Sequence, residues 1–138
     1  MRVRQLDHLN LSVRDLDESV EWYARVFGFE LAERGLSAAG VPFAVLRSDE
    51  ALLCVYHRPG RESLDGAELE RRGLHGFNHF ALRIEDREAW EEIVEREGLE
   101  LLYGGLVEWP HSLAWYVTDP TGYEIEVALW NEGAPAFG

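Results

Sequence analysis

Two histidines and a glutamate recur at places where a sheet could bring them together. His8 opens DHLNLSV, in which His8, Asn10 and Ser12 fall on one side of an extended chain and Leu9, Leu11 and Val13 on the other. His79 opens HFALRI, where His79, Ala81 and Arg83 oppose Phe80, Leu82 and Ile84. Near the end of the chain Glu124, Glu126 and Ala128 oppose Ile125, Val127 and Leu129, and Tyr116 and Thr118 oppose Trp115 and Val117. The ordinary meaning of such alternation is a sheet with one wet face. Imidazoles and a carboxylate at matched depths lining a cleft call for more, because buried polar groups cost a few kcal/mol each unless they are partnered. A divalent cation is the economical partner for that set.

The elements that must position these residues come in a repeating order. A strand over 5–13 leads through Asp15, a helix N-cap, into SVEWYARVF, whose Val20, Tyr23, Val26 and Phe27 share one face, and Gly28 ends the helix. Strands follow over 30–34, 43–47 and 51–56. After a charged, glycine-containing linker over 58–76, with a short helix around 66–72, the order returns: HFALRI, a second helix REAWEEIVERE capped by Asp86 and closed by Gly98, then strands LELLYGG, SLAWYVT and GYEIEVALW. His79 lies 71 residues after His8 and Asp86 lies 71 after Asp15, while Gly98 follows Gly28, and Asp119 follows Asp49, by 70. One deleted position aligns most of both halves, so the chain is a duplicated βαβββ unit. The fold class is α+β: two tandem modules, 3–57 and 77–131 within a single domain over 1–138, forming a curved, partly open mixed β-sheet barrel around a metal cleft with the helices outside.

Composition narrows the function. At 138 residues, 46% apolar and 12% aromatic, the chain can bury one core. No run of about 18 apolar residues occurs and MRVRQLDH has no apolar signal region, so a soluble cytoplasmic protein without a membrane partner is expected. The single cysteine, Cys54, excludes an internal disulfide and a zinc knuckle. Twenty-six acidic residues against 13 basic ones give a net charge of −13, which repels nucleic acid.

DHLNLSV, NHFALRI and DPTGYEIEV resemble the ligand-bearing segments of the vicinal oxygen chelate superfamily, which includes glyoxalase I, fosfomycin-modifying transferases, bleomycin-binding proteins and extradiol dioxygenases. The likeness covers about residues 6–130. It implies that His8, His79 and Glu126 bind a divalent metal, with Glu124 the runner-up carboxylate. Four-ligand members similar to glyoxalase I take a further hard ligand from the last strand of module one. Here that strand reads ALLCVY, and the position matching Glu126 falls on Cys54 or Leu53. Three ligands of two histidines and one carboxylate suit Fe(II), while Mn(II), Zn(II) or Ni(II) suit the same atoms.

Tyr116 precedes Glu126 by ten residues, as the active-site tyrosine does in extradiol dioxygenases, and the run Tyr116, Asp119-Pro120, Gly122, Glu126 resembles the latter half of their signature. The first half departs from it: His111 stands only five residues before Tyr116, and Trp115 replaces an aliphatic residue or Phe. The resemblance therefore implies a ring-cleaving dioxygenase acting on a catechol-like small molecule, with Tyr116 as oxyanion donor, His111 as proton shuttle and Asn10 orienting a substrate oxygen. A glyoxalase-like lyase or isomerase is the enzymatic alternative, and a drug-sequestering binder the non-enzymatic one. A homodimer is expected, since single-domain members of the family often complete the cleft between chains. His57 and His75 are expected at the surface, and Trp109, Trp115 and Trp130 in packing, with stacking on a flat substrate near the metal cleft as the alternative.

Overall fold

The structure is a computed structural model describing residues 1–137. It divides into two compact units, one from Met1 to Glu62 and one beginning at Ser63. The first holds β1 (Leu9–Val13), α1 (Leu16–Phe27), β2 (Glu30–Leu36), β3 (Pro42–Ser48) and β4 (Ala51–His57). The second holds α2 (Gly66–Arg72), β5 (Phe80–Arg83), α3 (Arg87–Glu97), a single 3-10 turn (Leu102–Gly104), β6 (Val107–Trp109), β7 (Ser112–Thr118) and β8 (Glu124–Trp130). Both units carry the βαβββ order read from the repeat.

The local chemistry of the two units is the same. The side chain of Asp15 accepts from the Glu18 amide at 2.9 Å and that of Asp86 from the Ala89 amide at 3.0 Å, each satisfying a helix-start donor that has no partner within the helix. Gly28 and Gly98 close α1 and α3 in the left-handed region, at φ 66° and 60°. The one-residue gap in the repeat is a shorter helix, 11 residues in α3 against 12 in α1.

Two four-stranded mixed sheets result, ordered β1-β4-β3-β2 and β5-β8-β7-β6. In each, the first strand runs parallel to the fourth and the hairpins are antiparallel. Each sheet ends in edge strands and is therefore open. In module one, Leu11, Val13, Ala44, Leu46, Leu53 and Val55 form the buried face, beneath Leu16, Tyr23 and Val26 of α1. In module two, Ala114, Trp115, Val117, Ile125 and Val127 are buried with Trp90 of α3, and Arg87 of the same helix lies 5.9 Å from the Trp115 ring. Each such aliphatic side chain contributes about 1.5–3 kcal/mol on burial.

Three expectations need correction. The first strand begins at Leu9 rather than at residue 5; residues 1–8 are exposed, so no burial holds them extended, and His8 and Asp7 hydrogen-bond each other locally at 2.7 Å. LELLYGG is not a strand. Tyr103, Gly104 and Gly105 take φ values of 56°, 81° and 104°, which no extended chain accommodates, so pairing resumes only at Val107. His57, expected at the surface, is half-buried, and its Nδ1 is enclosed without a hydrogen-bond partner among the described residues. No helix among the described residues is long and apolar enough to cross a membrane.

Candidate functional site

The polar face of module two gathers its chemistry on three strands. Asp119 builds the turn before β8: its Oδ1 accepts from the amides of Thr121, Gly122 and Tyr123 at 3.0, 2.9 and 2.8 Å. Gly122 sits there at φ 112°, a conformation that side chains rarely adopt. The turn sets the register of β8, in which Glu126 stands opposite Tyr116 on β7 and beside Ala81 on β5. His79 immediately precedes β5, and Glu124 shares the Glu126 face two residues away.

These placements bring His79 Nε2 to 2.9 Å from Glu126 Oε2, while His79 Nδ1 lies 3.8 Å from Glu124 Oε1. The Tyr116 ring packs edge-on against the imidazole, with centroids 5.4 Å apart. Tyr103 donates its hydroxyl proton to Glu124, 2.9 and 2.8 Å from the two carboxylate oxygens, and its ring meets Tyr116 edge to face at 5.0 Å. A cleft of about 1160 Å³ opens over this face, lined by His79, Tyr103, Trp109, Tyr116 and Glu124 and by α2 residues such as Leu69. Beside it Phe77 and Tyr123 stack at 5.8 Å.

Both phenols are held in their protonated form. Burial raises the Tyr116 pKa, with the charges of Glu126 and Glu124 adding to the rise and hydrogen bonding from Trp109 opposing it. Tyr103 is raised first by its hydrogen bond to Glu124, then by desolvation and by the Glu124 charge. Each is therefore a proton donor at neutral pH.

The His79–Glu126 pair fits a cation. An imidazole nitrogen and a carboxylate oxygen are both ligands of divalent metals; in the structure these two atoms lie 2.9 Å apart, at hydrogen-bond distance, the imidazole donating to the carboxylate. Within neither module do three His, Cys, Asp or Glu side chains among the described residues form a group able to hold a metal. His8 belongs to module one, where it immediately precedes β1 as His79 precedes β5; it is exposed and its Nδ1 bonds Asp7 at 2.7 Å.

The remaining sequence candidates separate. Asn10 is exposed on β1, paired with Cys54. Because Asn10 and Ala81 are equivalent in the repeat, that register makes Cys54, and not Leu53, the counterpart of Glu126. The Cys54 thiol is pushed up by burial and by the charges of Asp7 and Glu33, which keeps it a neutral thiol. His111 is exposed in the turn ahead of β7. Ser112, the next residue, is already four strand steps from Tyr116, about 13 Å along β7, so module two does not bring His111 to the His79 group. Trp115 is core, as expected, but Trp109 is 53% exposed and lines the cleft, which corrects the packing expected of it and matches the alternative of a cleft position. Tyr103 escaped sequence reasoning altogether; the Gly104-Gly105 pair that breaks the alternation after it was the available signal.

Residues 5–127 match the family model described as the Glyoxalase/Bleomycin resistance protein/Dioxygenase superfamily. The chain is 29% identical over 141 aligned residues to the lactoylglutathione lyase of Salmonella typhimurium, covering 97% of this chain and 98% of that protein. To the probable lactoylglutathione lyase of Synechocystis it is 26% identical, covering 87% and 91%. Among solved structures, a glyoxylase/bleomycin resistance protein/dioxygenase domain from Frankia superposes with a TM-score of 0.77 at 20% identity, with 96% of each chain covered. A mutant of the fosfomycin resistance protein FosX from Listeria monocytogenes, complexed with Mn(II) and dihydroxypropylphosphonic acid, superposes with a TM-score of 0.70 at 16% identity, covering 94% and 95%.

Proposed function

The chain belongs to the glyoxalase/bleomycin resistance protein/dioxygenase superfamily, and on that premise we propose that it is a metal-dependent enzyme cleaving the ring of a catechol-like small molecule with dioxygen. The observation that carries this reading is the grouping of the His79–Glu126 pair with a buried, protonated Tyr116 against the imidazole. His79 and Glu126 supply a nitrogen and an oxygen ligand, and His8, the match of His79 in the repeat, supplies the third, from the same chain or from the second subunit of a homodimer. Fe(II) is the expected ion, and Mn(II), Zn(II) or Ni(II) suit the same ligands. The bound ion supplies Lewis acidity toward two vicinal substrate oxygens. Tyr116 donates a hydrogen bond to the oxyanion that develops on the substrate, and Asn10 orients a substrate oxygen; His111, four strand steps and more from Tyr116, is left without the shuttle role. Trp109 and Tyr103 offer the flat faces along which an aromatic ring packs.

A second reading, a lyase or isomerase resembling glyoxalase, is favoured by the relatives named lactoylglutathione lyase. The neutral Cys54 thiol at the counterpart position of Glu126 weighs against it, since the four-ligand members use a hard ligand from that strand. Oxygen uptake by Fe(II)-loaded protein on a panel of diols, set beside anaerobic turnover of a hemithioacetal, separates the two. Oxygen consumed in step with a diol supports ring cleavage; anaerobic turnover with no oxygen uptake on any diol overturns it.

A further inference from the structure

Exposed aromatic surface is gathered in one place on this molecule. Among the described residues four aromatic side chains are exposed, Phe77, Tyr103, Trp109 and Phe137, and the first three line the module-two cleft. Tyr123, stacked on Phe77, extends the same wall. Apolar surface left open in a concave site marks a place that binds something flat and apolar.

The charge around those rings has one sign. Asp65, Glu70 and Glu124 line the cleft, and no Lys or Arg is among its described lining residues; its one basic side chain is His79, a metal ligand in the reading above. The cations next in sequence are engaged or remote. Arg71 and Arg72 of α2 both donate to Glu68, through Nε at 3.1 and 2.7 Å, and Arg83 stands four strand steps beyond His79, about 13 Å along β5. The acids of the α2 segment belong to the wall because two glycines let that segment pack closely on the rest of the module. A Cβ on Gly76 would stand 2.9 Å from Leu69 Cδ1, and one on Gly122 would stand 3.3 Å from Ser63 Oγ.

We propose that the cleft selects its substrate by charge, taking an aromatic molecule whose substituents are neutral or cationic and rejecting one that carries a carboxylate. A carboxylate seated among these rings gives up hydration, meets no guanidinium or ammonium group and faces three like charges, whereas an ammonium group gains from the acids and from the ring faces. The assignment rests on the reading of this cleft as the substrate site and names the class of molecule it admits.

The test uses two matched sets of probes: phenethylamine, phenethyl alcohol and hydrocinnamate on the metal-free full chain, and the corresponding ring-substituted catechols on the Zn(II)-loaded chain. NMR titrations follow the Trp109 indole N–H, assigned by its loss in Trp109→Phe. In both sets the carboxylate should bind at least about tenfold more weakly than the neutral member, and the amine no more weakly than it. Glu70→Lys, at an exposed helix position, should shrink the gap several-fold and Glu70→Gln should shrink it less, with thermal melts unchanged. Carboxylates that bind as tightly as the neutral members overturn the proposal, as does a gap that neither substitution moves or a Trp109 signal that no probe moves. The expected order of binding with no oxygen consumed on any catechol by the Fe(II)-loaded chain would overturn ring cleavage and support the charge selection.

Discussion

The two modules share a scaffold and differ in what they hang on it. Asp15 and Asp86 cap their helices identically, Gly28 and Gly98 end them, and both sheets pair the first strand with the fourth. On the polar face the matching positions part company: Cys54 for Glu126, Leu52 for Glu124, and Val45, which pairs with Cys54, for Tyr116, which pairs with Glu126. Only the histidine ahead of the first strand is common to both. Duplication therefore preserved the positions that make the module fold, while titratable chemistry concentrated in one copy. The candidate site described above rests on module two.

The largest effect should come from exchanging matched positions. Glu126→Ala should abolish turnover, while Cys54→Ala, at the same register in module one, should change it by less than a few-fold. Comparable losses from both would mean that module one contributes more than His8. Next is Tyr116→Phe, which removes one hydroxyl and nothing of the ligand set. Loss of one oxyanion donor typically costs about 10² to 10³ in rate, and metal affinity should stay nearly intact. Steady-state kinetics and a metal titration on the same preparation measure both.

Much of this contrast was legible beforehand. Alternation, the two Asp caps and the two closing glycines mark the repeat because each has a local physical cause, and the short helix of the linker lies at Gly66–Arg72 as read. The histidines and Glu126 stood out because polar groups on a sheet face need partners. What escaped notice depends on backbone dihedrals and through-space contacts. LELLYGG reads as a strand by its leucines, yet three successive residues with positive φ turn it, and that turn delivers Tyr103 to Glu124. Choosing between Cys54 and Leu53 needed the parallel register of β1 on β4. The half-buried His57 and the exposed Trp109 likewise follow from packing, which alternation alone does not specify.

Where the modules are alike, equal perturbations should have equal effects. Asp15→Ala and Asp86→Ala should each cost about 1 kcal/mol in urea denaturation; a several-fold inequality would show that one module carries more of the stability. The smallest effect concerns pH. Tyr103 and Tyr116 are raised in the folded chain, so their contribution to stability is intact below the ordinary phenol range, around pH 10, and is lost as pH rises through the raised values. Melts between neutral and strongly alkaline pH should show this loss in the natural chain and a smaller one when both residues are Phe.

Metal content tests the account most directly. Chain stripped with chelator, reloaded anaerobically with Fe(II) or Mn(II) and desalted should hold one ion per chain by elemental analysis. His8→Ala, His79→Ala and Glu126→Ala should each lower that to a small fraction, and Cys54→Ala should leave it at one. An unsubstituted chain that retains no metal, or a Glu126→Ala chain that retains a full equivalent, would contradict the claim that His8, His79 and Glu126 form the metal centre.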